Sequence, residues 1–459
     1  MVIVVGLGVT GLSCVRFLKQ QGRHILVLDT RAHPPGLADF HKRYPEISVY
    51  AGGDWPQILL NQARQIIVSP GISTHHPAIA AARAQGVEII GDIELFARNN
   101  TRPVIAITGS NGKSTVTSLV GEMARAAGKN VAVVGNIGMP VLDYLLQNEQ
   151  NNQIDLFVME LSSFQLETTR SLTPCVATVL NISPDHLDRY ASYQEYIAAK
   201  YRVYLGAQQR VINRDDPLCM SVISEARGAI LYFSLGIPRP GEFGIRQHAG
   251  ESWLARGESL LLPVAAVKLK GSHNQANALA ALALGQAAGL PEAAMLEALQ
   301  GFQGLAHRCQ GVAQHNNIRW INDSKGTNIG ASQAALVGLG ADLEAGGKII
   351  LFLGGDGKGG DFKPLLAPVA EYCKAVILMG QDAPLIRAAL GPVAQTVSLY
   401  EADGMLEAVR LAASIAVPKD VVLLSPACAS LDQYQDYAHR GTVFTESVHK
   451  VLAHDAHDE

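Results

Sequence analysis

The 459-residue chain has no run of about 18 consecutive apolar residues, so it offers no candidate for a membrane-spanning helix. No basic region precedes the first apolar run, and a glycine turn ends that run after five residues; a secretory leader is therefore not expected, and a cytoplasmic protein is. Met1 lies directly on the first predicted strand, so a longer native N-terminus stays open as an expectation. The six cysteines (Cys14, Cys175, Cys219, Cys309, Cys373 and Cys428) stand singly, without CxxC or metal-ligand spacing. That excludes a disulfide framework and a zinc site, and leaves them as reduced core thiols. Neither charge sign is in excess: 37 Lys and Arg face 41 Asp and Glu, for a formal charge of −4. No broad nucleic-acid surface or acidic tail is expected, and any phosphate binding must be local. Internal repeats and low-complexity segments are also missing.

What is present is 48% hydrophobic residues in a chain too long for one core, so two or three domains are expected. Residues 1–94 alternate short β-branched runs ("MVIVV", "HILVLD", "QIIVSPG", "VEIIGD") with helical periods, the pattern of a parallel α/β sheet. The polar "ARNNTRP" reads as a linker. A second unit over 95–304 starts at "VIAITG" and continues through "VAVVGN", "DLFVMELSS", "VATVLNIS" and "RVINRD". Between about 230 and 265 the pattern predicts a small antiparallel insert, followed by a long Ala-rich helix ending at Gly289. A third unit over 305–459 carries "RWINDS", "KIILFLGGDG", "AVILMG", "TVSLY" and "DVVLLSPACAS". The fold class is α/β in three tandem domains: a Rossmann-like first, a central P-loop ATPase-like second and a Rossmann-like third.

Two glycine motifs compete to define the chemistry. Gly6-x-Gly8-x-x-Gly11, with Asp29 closing the next apolar run, has the spacing of a dinucleotide site and raises an oxidoreductase reading. "VIAITGSNGKST" is the more informative segment. Here an apolar strand enters a loop of Gly109, Ser110, Asn111 and Gly112, followed by Lys113, Ser114 and Thr115 at a helix start, which aims backbone N–H groups at phosphate oxygens. Lys113 would bridge the outer phosphates and Ser114 would ligate Mg²⁺. Ile107 stands where the general pattern has a first glycine, so the loop is a variant. Glu160 ends an apolar strand, as a metal-binding acid would, although strand-end carboxylates are often plain solvated edges or helix caps. Asp185 and His186 fall in the loop after another strand, and Lys200 on a predicted helix, where a solvated lysine or a phosphate contact is the default. A kinase or plain ATPase would share the phosphate loop.

"TGSNGKST", "ELSSFQLE", "NISPDHLDRY", "GSHNQANALAAL", "LAHR", "WINDSKGTN", "GGDGKGGDF" and "LLSPACASLDQY" occur in this order, and with "GLGVTG" and "SPGI" the chain resembles the Mur ligases from Gly6 to about Gly441. The resemblance implies an ATP-dependent ligase that adds D-glutamate to UDP-N-acetylmuramoyl-L-alanine through an acyl phosphate, in the synthesis of peptidoglycan precursors for the cell wall. Another Mur-type or folylpolyglutamate-type ligase is the nearest alternative. It implies that the first domain holds UDP rather than a dinucleotide, with Val9 and Thr10 at the pyrophosphate, Asp29, Thr30 and Arg31 at the uracil, and Ser69, Pro70 and Gly71 completing the wall. ATP would be held by residues 109–115, by Asn274, and by Arg308 and Asp323 from the third domain. Two Mg²⁺ sites are implied, with Ser114 and Glu160 at the first and His186 and Lys200 at the second. Because an ammonium cannot ligate a cation, Lys200 would be carbamylated. Lys113, Glu160, His186 and Lys200 would thus carry the chemistry. Asn136 would face the muramyl substrate, and Thr327, Lys358, Ser430 and Tyr437 the D-glutamate, with Tyr437 in place of an expected Phe. No nucleic-acid or membrane partner is implied, and a monomer is the expectation.

Overall fold

The computed structural model describes residues 1–53, 55–148, 154–221, 228–269 and 271–455. The last four residues of the third predicted unit, 456–459, lie outside the described residues. Three sheets follow one another along the chain. The first has five parallel strands in the order Ser48–Ala51, Ile25–Asp29, Val2–Val5, Gln65–Val68 and Glu88–Ile90. Val2–Val5 is buried along its whole length, as expected of a strand covered on both faces. The glycine turn after it is dictated by close approach: a Cβ on Gly11 would lie 1.7 Å from the Gly6 carbonyl oxygen.

The second sheet has nine strands. Its parallel part runs Val131–Gly135, Leu156–Glu160, Val104–Thr108, Val176–Val179, Gln209–Asn213 and Ala229–Phe233. Phe243–His248, Glu251–Arg256 and Ser259–Pro263 continue the same sheet as antiparallel ribbons. The expected antiparallel strands are thus present between residues 243 and 263, and they form the edge of the central sheet, where bends and missing donors are tolerated. The helix Ser272–Ala287 crosses this sheet and buries ten residues, its alanines allowing the close approach.

The third sheet joins the antiparallel edge Gln310–His315 to Ile318–Asn322, then Val421–Leu424, Ile349–Gly354, Cys373–Met379 and Ser398–Glu401 in parallel. In all three sheets the strands that precede the glycine-, serine- or acid-rich loops aim those loops at one edge, which is where open α/β sheets place ligands.

Core packing joins the first two units and sets the third apart. One hydrophobic cluster runs from Val4, Phe17 and Ile90 in the first unit to Phe157, Met159 and Tyr196 in the second. Arg16 adds a fork of hydrogen bonds to the Asp143 carboxylate across the same interface. Glu94 ties it further, accepting from the backbone N–H groups of Arg170 and Ser171 and from the Ser171 hydroxyl. Burial pushes the Glu94 carboxyl up, but these donors together with Arg98 outweigh it and hold its pKa at about 2. The third unit packs its own clusters, one around Leu351 and Leu423 and one around Trp320 and Phe444. Among the described residues no helix is long and apolar enough to cross a membrane.

Candidate active site

The phosphate-loop segment folds as its sequence predicts, from the strand Val104–Thr108 through residues 109–112 into the helix Lys113–Ala126. Gly112 adopts φ +80°, and a Cβ there would meet the Asn277 carboxamide oxygen at 2.3 Å. The loop is braced from behind. Ser110 N–H donates to the Asn181 carbonyl, Asn111 N–H to the Asn181 side chain (2.8 Å), and the Ser110 hydroxyl lies 2.8 Å from the Tyr196 hydroxyl. Lys113 Nζ folds back onto the Gly109 and Ser110 carbonyls (2.8 and 2.9 Å). Burial lowers its pKa, while Glu160 and Asp185 act against that shift.

Glu160 closes the strand Leu156–Glu160 and is buried. Its Oε1 accepts from Asn136 Nδ2 at 3.0 Å, and its Oε2 is buried with no hydrogen-bond partner among the described residues. A carboxylate oxygen left bare in this way costs free energy unless a cation or donor arrives, so Glu160 fits a divalent metal. His186 sits at φ +55° in the loop after Val176–Val179, its Nε2 3.6 Å from Asp185 Oδ2 and its ring 4.8 Å from that of Phe164. Burial depresses its pKa to about 4 against the pull of Asp185, keeping the imidazole in the neutral form that ligates metals. Lys200, on the helix Tyr193–Tyr201, is buried, donates from Nζ to the Gly109 carbonyl at 2.8 Å and lies over the Tyr196 ring. Burial, then Lys113, drives its pKa well below that of an ordinary lysine. Among the described residues no three His, Cys, Asp or Glu side chains gather as a metal cluster.

The third unit reaches into the same place. Arg308 Nη2 donates to Ser114 Oγ at 2.8 Å, linking residues 194 positions apart. Lys358 Nζ pairs with Asp185 Oδ1 at 2.9 Å, and Asn328 Nδ2 bonds both Asp185 Oδ2 and Asn111 Oδ1. Asp323 is buried beside Ser425 and the Cys309 backbone, and burial lifts its pKa to about 6. A cavity of about 400 Å³ lies between these elements, lined by Asn111, Gly112 and Thr115, by Asn274, and by Arg308 and Asp323.

A second cleft of about 790 Å³ opens at the edge of the first sheet. It gathers Val9, Thr10, Asp29, Thr30, Arg31, Ser69, Pro70 and Gly71, together with Asn136 from the central unit. Asp29 accepts the Leu7 N–H at 2.7 Å and a guanidinium fork from Arg31. Tyr437 lines this cleft too, with Lys325 Nζ 3.7 Å from its ring centroid. Thr327, Lys358 and Ser430 line neither cavity.

Three contributors went unassigned in the sequence although each lies in a quoted motif. Lys325, in "WINDSKGTN", lines both cavities, and burial followed by Arg308 lowers its pKa to about 8. Gln165, in "ELSSFQLE", lines the second cleft and helps form a capping box with Ser162. Asp92 opens the helix Asp92–Ala97, lines that cleft and is lifted to about 6 by burial. The first two stand beside assigned residues, which is the signal that could have found them.

Known proteins align with this chain over nearly its whole length. Family models match residues 1–91 (Mur ligase MurD-like, N-terminal domain), 107–285 (Mur ligase middle domain) and 307–428 (Mur ligase, glutamate ligase domain). A UDP-N-acetylmuramoylalanine–D-glutamate ligase from Pseudomonas syringae pathovar tomato is 51% identical over 448 residues, covering 97% of both chains. The protein of the same name from Nitrosococcus oceani is 50% identical over 453 residues, 98% of this chain and 97% of its own. The solved UDP-N-acetylmuramate–alanine ligase of Thermotoga maritima superposes over 98% of this chain and 99% of its own, with a TM-score of 0.60 at 19% identity. A pseudomurein peptide ligase type C from Methanothermus fervidus gives 0.56 at 18%, over 98% and 99%. At that identity the two structures speak for the fold alone.

Proposed function

This chain belongs to the Mur ligase family, and from that premise we infer that its two cavities serve successive parts of one reaction. It is an ATP-dependent, amide-forming ligase that joins D-glutamate to UDP-N-acetylmuramoyl-L-alanine. Use of ATP and Mg²⁺ is typical of the wider family. The observation that carries the assignment of parts is the position of Lys325, shared by the phosphate-loop cavity and the first-sheet cleft. A substrate anchored by UDP in the cleft would bring its far end to the nucleotide there.

A carboxylate is a poor electrophile at neutral pH, so the L-alanine carboxylate first attacks the γ-phosphate of ATP, and ADP leaves. Lys113, turning from its loop carbonyls to the phosphates, supplies fixed positive charge where charge develops, and Arg308 adds a second cation beside Ser114. The amine of D-glutamate then attacks the acyl carbon, and inorganic phosphate departs. Ser114 and Glu160 would hold one Mg²⁺, and His186 with a carbamylated Lys200 a second, the cations supplying neutralisation of phosphate charge. Asn136 would face the muramyl group, and Val9, Thr10, Asp29, Thr30, Arg31, Ser69, Pro70 and Gly71 the UDP. Thr327, Lys358 and Ser430 would bind D-glutamate. Tyr437, on the cleft side, would meet the acceptor end of the UDP substrate or the incoming amino acid. Asn274, Arg308 and Asp323 would contact the nucleotide, which makes closure of the third unit part of the cycle.

A ligation assay with UDP-N-acetylmuramoyl-L-alanine, ATP and a panel of amino acids tests this. Amide formation with D-glutamate well above all others is expected. ATP turnover without amide would return the chain to the kinase or ATPase reading, and preference for another amino acid to a different ligase.

A further inference from the structure

We propose that Arg189 is a positioning residue that couples the UDP-binding loop of the first unit to the His186 loop of the second. The inference rests on the ligase reading above and adds a residue that nothing in that reading assigns. Arg189 follows His186 by three residues and is joined to it through the backbone, its N–H donating to the His186 carbonyl at 3.0 Å. Its guanidinium crosses to the first unit, where Nη2 donates to the Ile72 carbonyl (2.8 Å) and Nη1 to the Pro70 carbonyl (3.2 Å). Those carbonyls belong to the "SPGI" turn whose Ser69, Pro70 and Gly71 line the second cleft. The face of the same guanidinium lies 4.3 Å from the Phe164 ring centroid, and Phe164 in turn packs against the His186 ring at 4.8 Å.

One planar group therefore touches three things at once: the wall of the UDP cleft, the aromatic ring that backs His186, and through the chain His186 itself. A fork of donors with a stackable face is what arginine offers and lysine does not. Because His186 sits at φ +55°, a backbone region costly for a residue with a Cβ, its loop depends on outside contacts to stay in place. Phe164 extends the coupling, since it lies on the segment that carries Gln165 into the cleft. A shift of the "SPGI" turn on UDP binding reaches His186 through these contacts and no others of comparable strength between the two loops among the described residues.

The test compares wild type with Arg189→Ala and Arg189→Lys. Binding of the UDP substrate is measured by titration calorimetry, with and without Mg²⁺ and a non-hydrolysable ATP analogue, and kcat and KM are measured beside it. In the wild type each ligand should tighten the other, a coupling that must be reciprocal. Loss of charge-assisted hydrogen bonds predicts that Arg189→Ala lowers kcat/KM for the UDP substrate by about 10- to 100-fold. The coupling between the two ligands should vanish, and the Mg²⁺ concentration for half-maximal activity should rise. Arg189→Lys should recover the folding temperature but little of the coupling. Wild-type coupling in both variants would overturn the proposal, as would a loss confined to thermal stability and the active fraction. Inactivity of the wild type towards D-glutamate would instead count against the ligase reading itself.

Discussion

Replacing Lys113 with alanine should abolish phosphoryl transfer while UDP-substrate binding stays at the wild-type level. The two effects separate because the groups are separate. Lys113 is held by the Gly109 and Ser110 carbonyls at the start of the helix Lys113–Ala126, whereas the residues proposed to hold UDP in the second cleft belong to the first unit. Burial lowers the pKa of its ammonium, while the carboxylates of Glu160 and Asp185 act against that shift, as bound phosphate would. In a water-poor site one such fixed charge is worth a large factor, and kcat should fall by at least about a thousand-fold. The fold should survive, because among the described residues the side chain hydrogen-bonds only to carbonyls of a loop that Asn181 and Tyr196 also brace. Normal ATP turnover by the variant, measured as ADP release, would remove the loop from the mechanism.

Lys200→Ala should be nearly inactive and should recover in part when a short carboxylate such as formate or acetate is added. An ordinary surface lysine would show neither effect. Lys200 is buried, and its only hydrogen bond among the described residues is to the Gly109 carbonyl. Burial and Lys113 both favour its neutral amine, and the neutral amine is the form that adds to CO₂. In that step the nitrogen forms a bond to the carbon of CO₂ and releases a proton, giving a carboxylate-like pair of oxygens on the lysine. The resulting negative charge would sit near Lys113, which disfavours the present ammonium and would favour the anion. Losing such a ligand should cost at least about a hundred-fold in activity. Added carboxylate would enter the vacated space and restore part of it. Full activity without rescue would make Lys200 a structural lysine.

Much of this was legible in the amino-acid order. The strands around the phosphate loop read clearly because each is largely buried and mostly apolar, being covered on both faces, and runs into a loop of glycine, polar or acidic residues. Residues fixed to those ends, such as Glu160 and Gly112, inherit their placement from the strand. The edge strands Ser48–Ala51 and Gln310–His315 were not visible, since an edge is half exposed and its sequence carries no continuous apolar run. Arg189 and Lys325 were harder still. Arg189 acts on carbonyls 117 and 119 positions away, and Lys325 matters because two cavities meet at it. Neither fact has a local pattern to announce it. Tyr437, expected with Ser430 and Lys358 at one amino acid, starts the helix Tyr437–Asp455 and lines the cleft with Lys325 over its ring.

The central claim is that the substrate carboxylate attacks ATP directly, and oxygen transfer tests it most directly. If UDP-N-acetylmuramoyl-L-alanine is labelled with heavy oxygen in its terminal carboxylate, the acyl phosphate keeps one labelled oxygen between carbon and phosphorus. That oxygen must depart with phosphorus when the D-glutamate amine displaces it. Mass spectrometry of the products should find one labelled oxygen in inorganic phosphate for each amide formed, and none in ADP. Label in AMP would mean adenylate activation, and unlabelled phosphate would mean that ATP hydrolysis is not coupled through an acyl phosphate; either result contradicts the account.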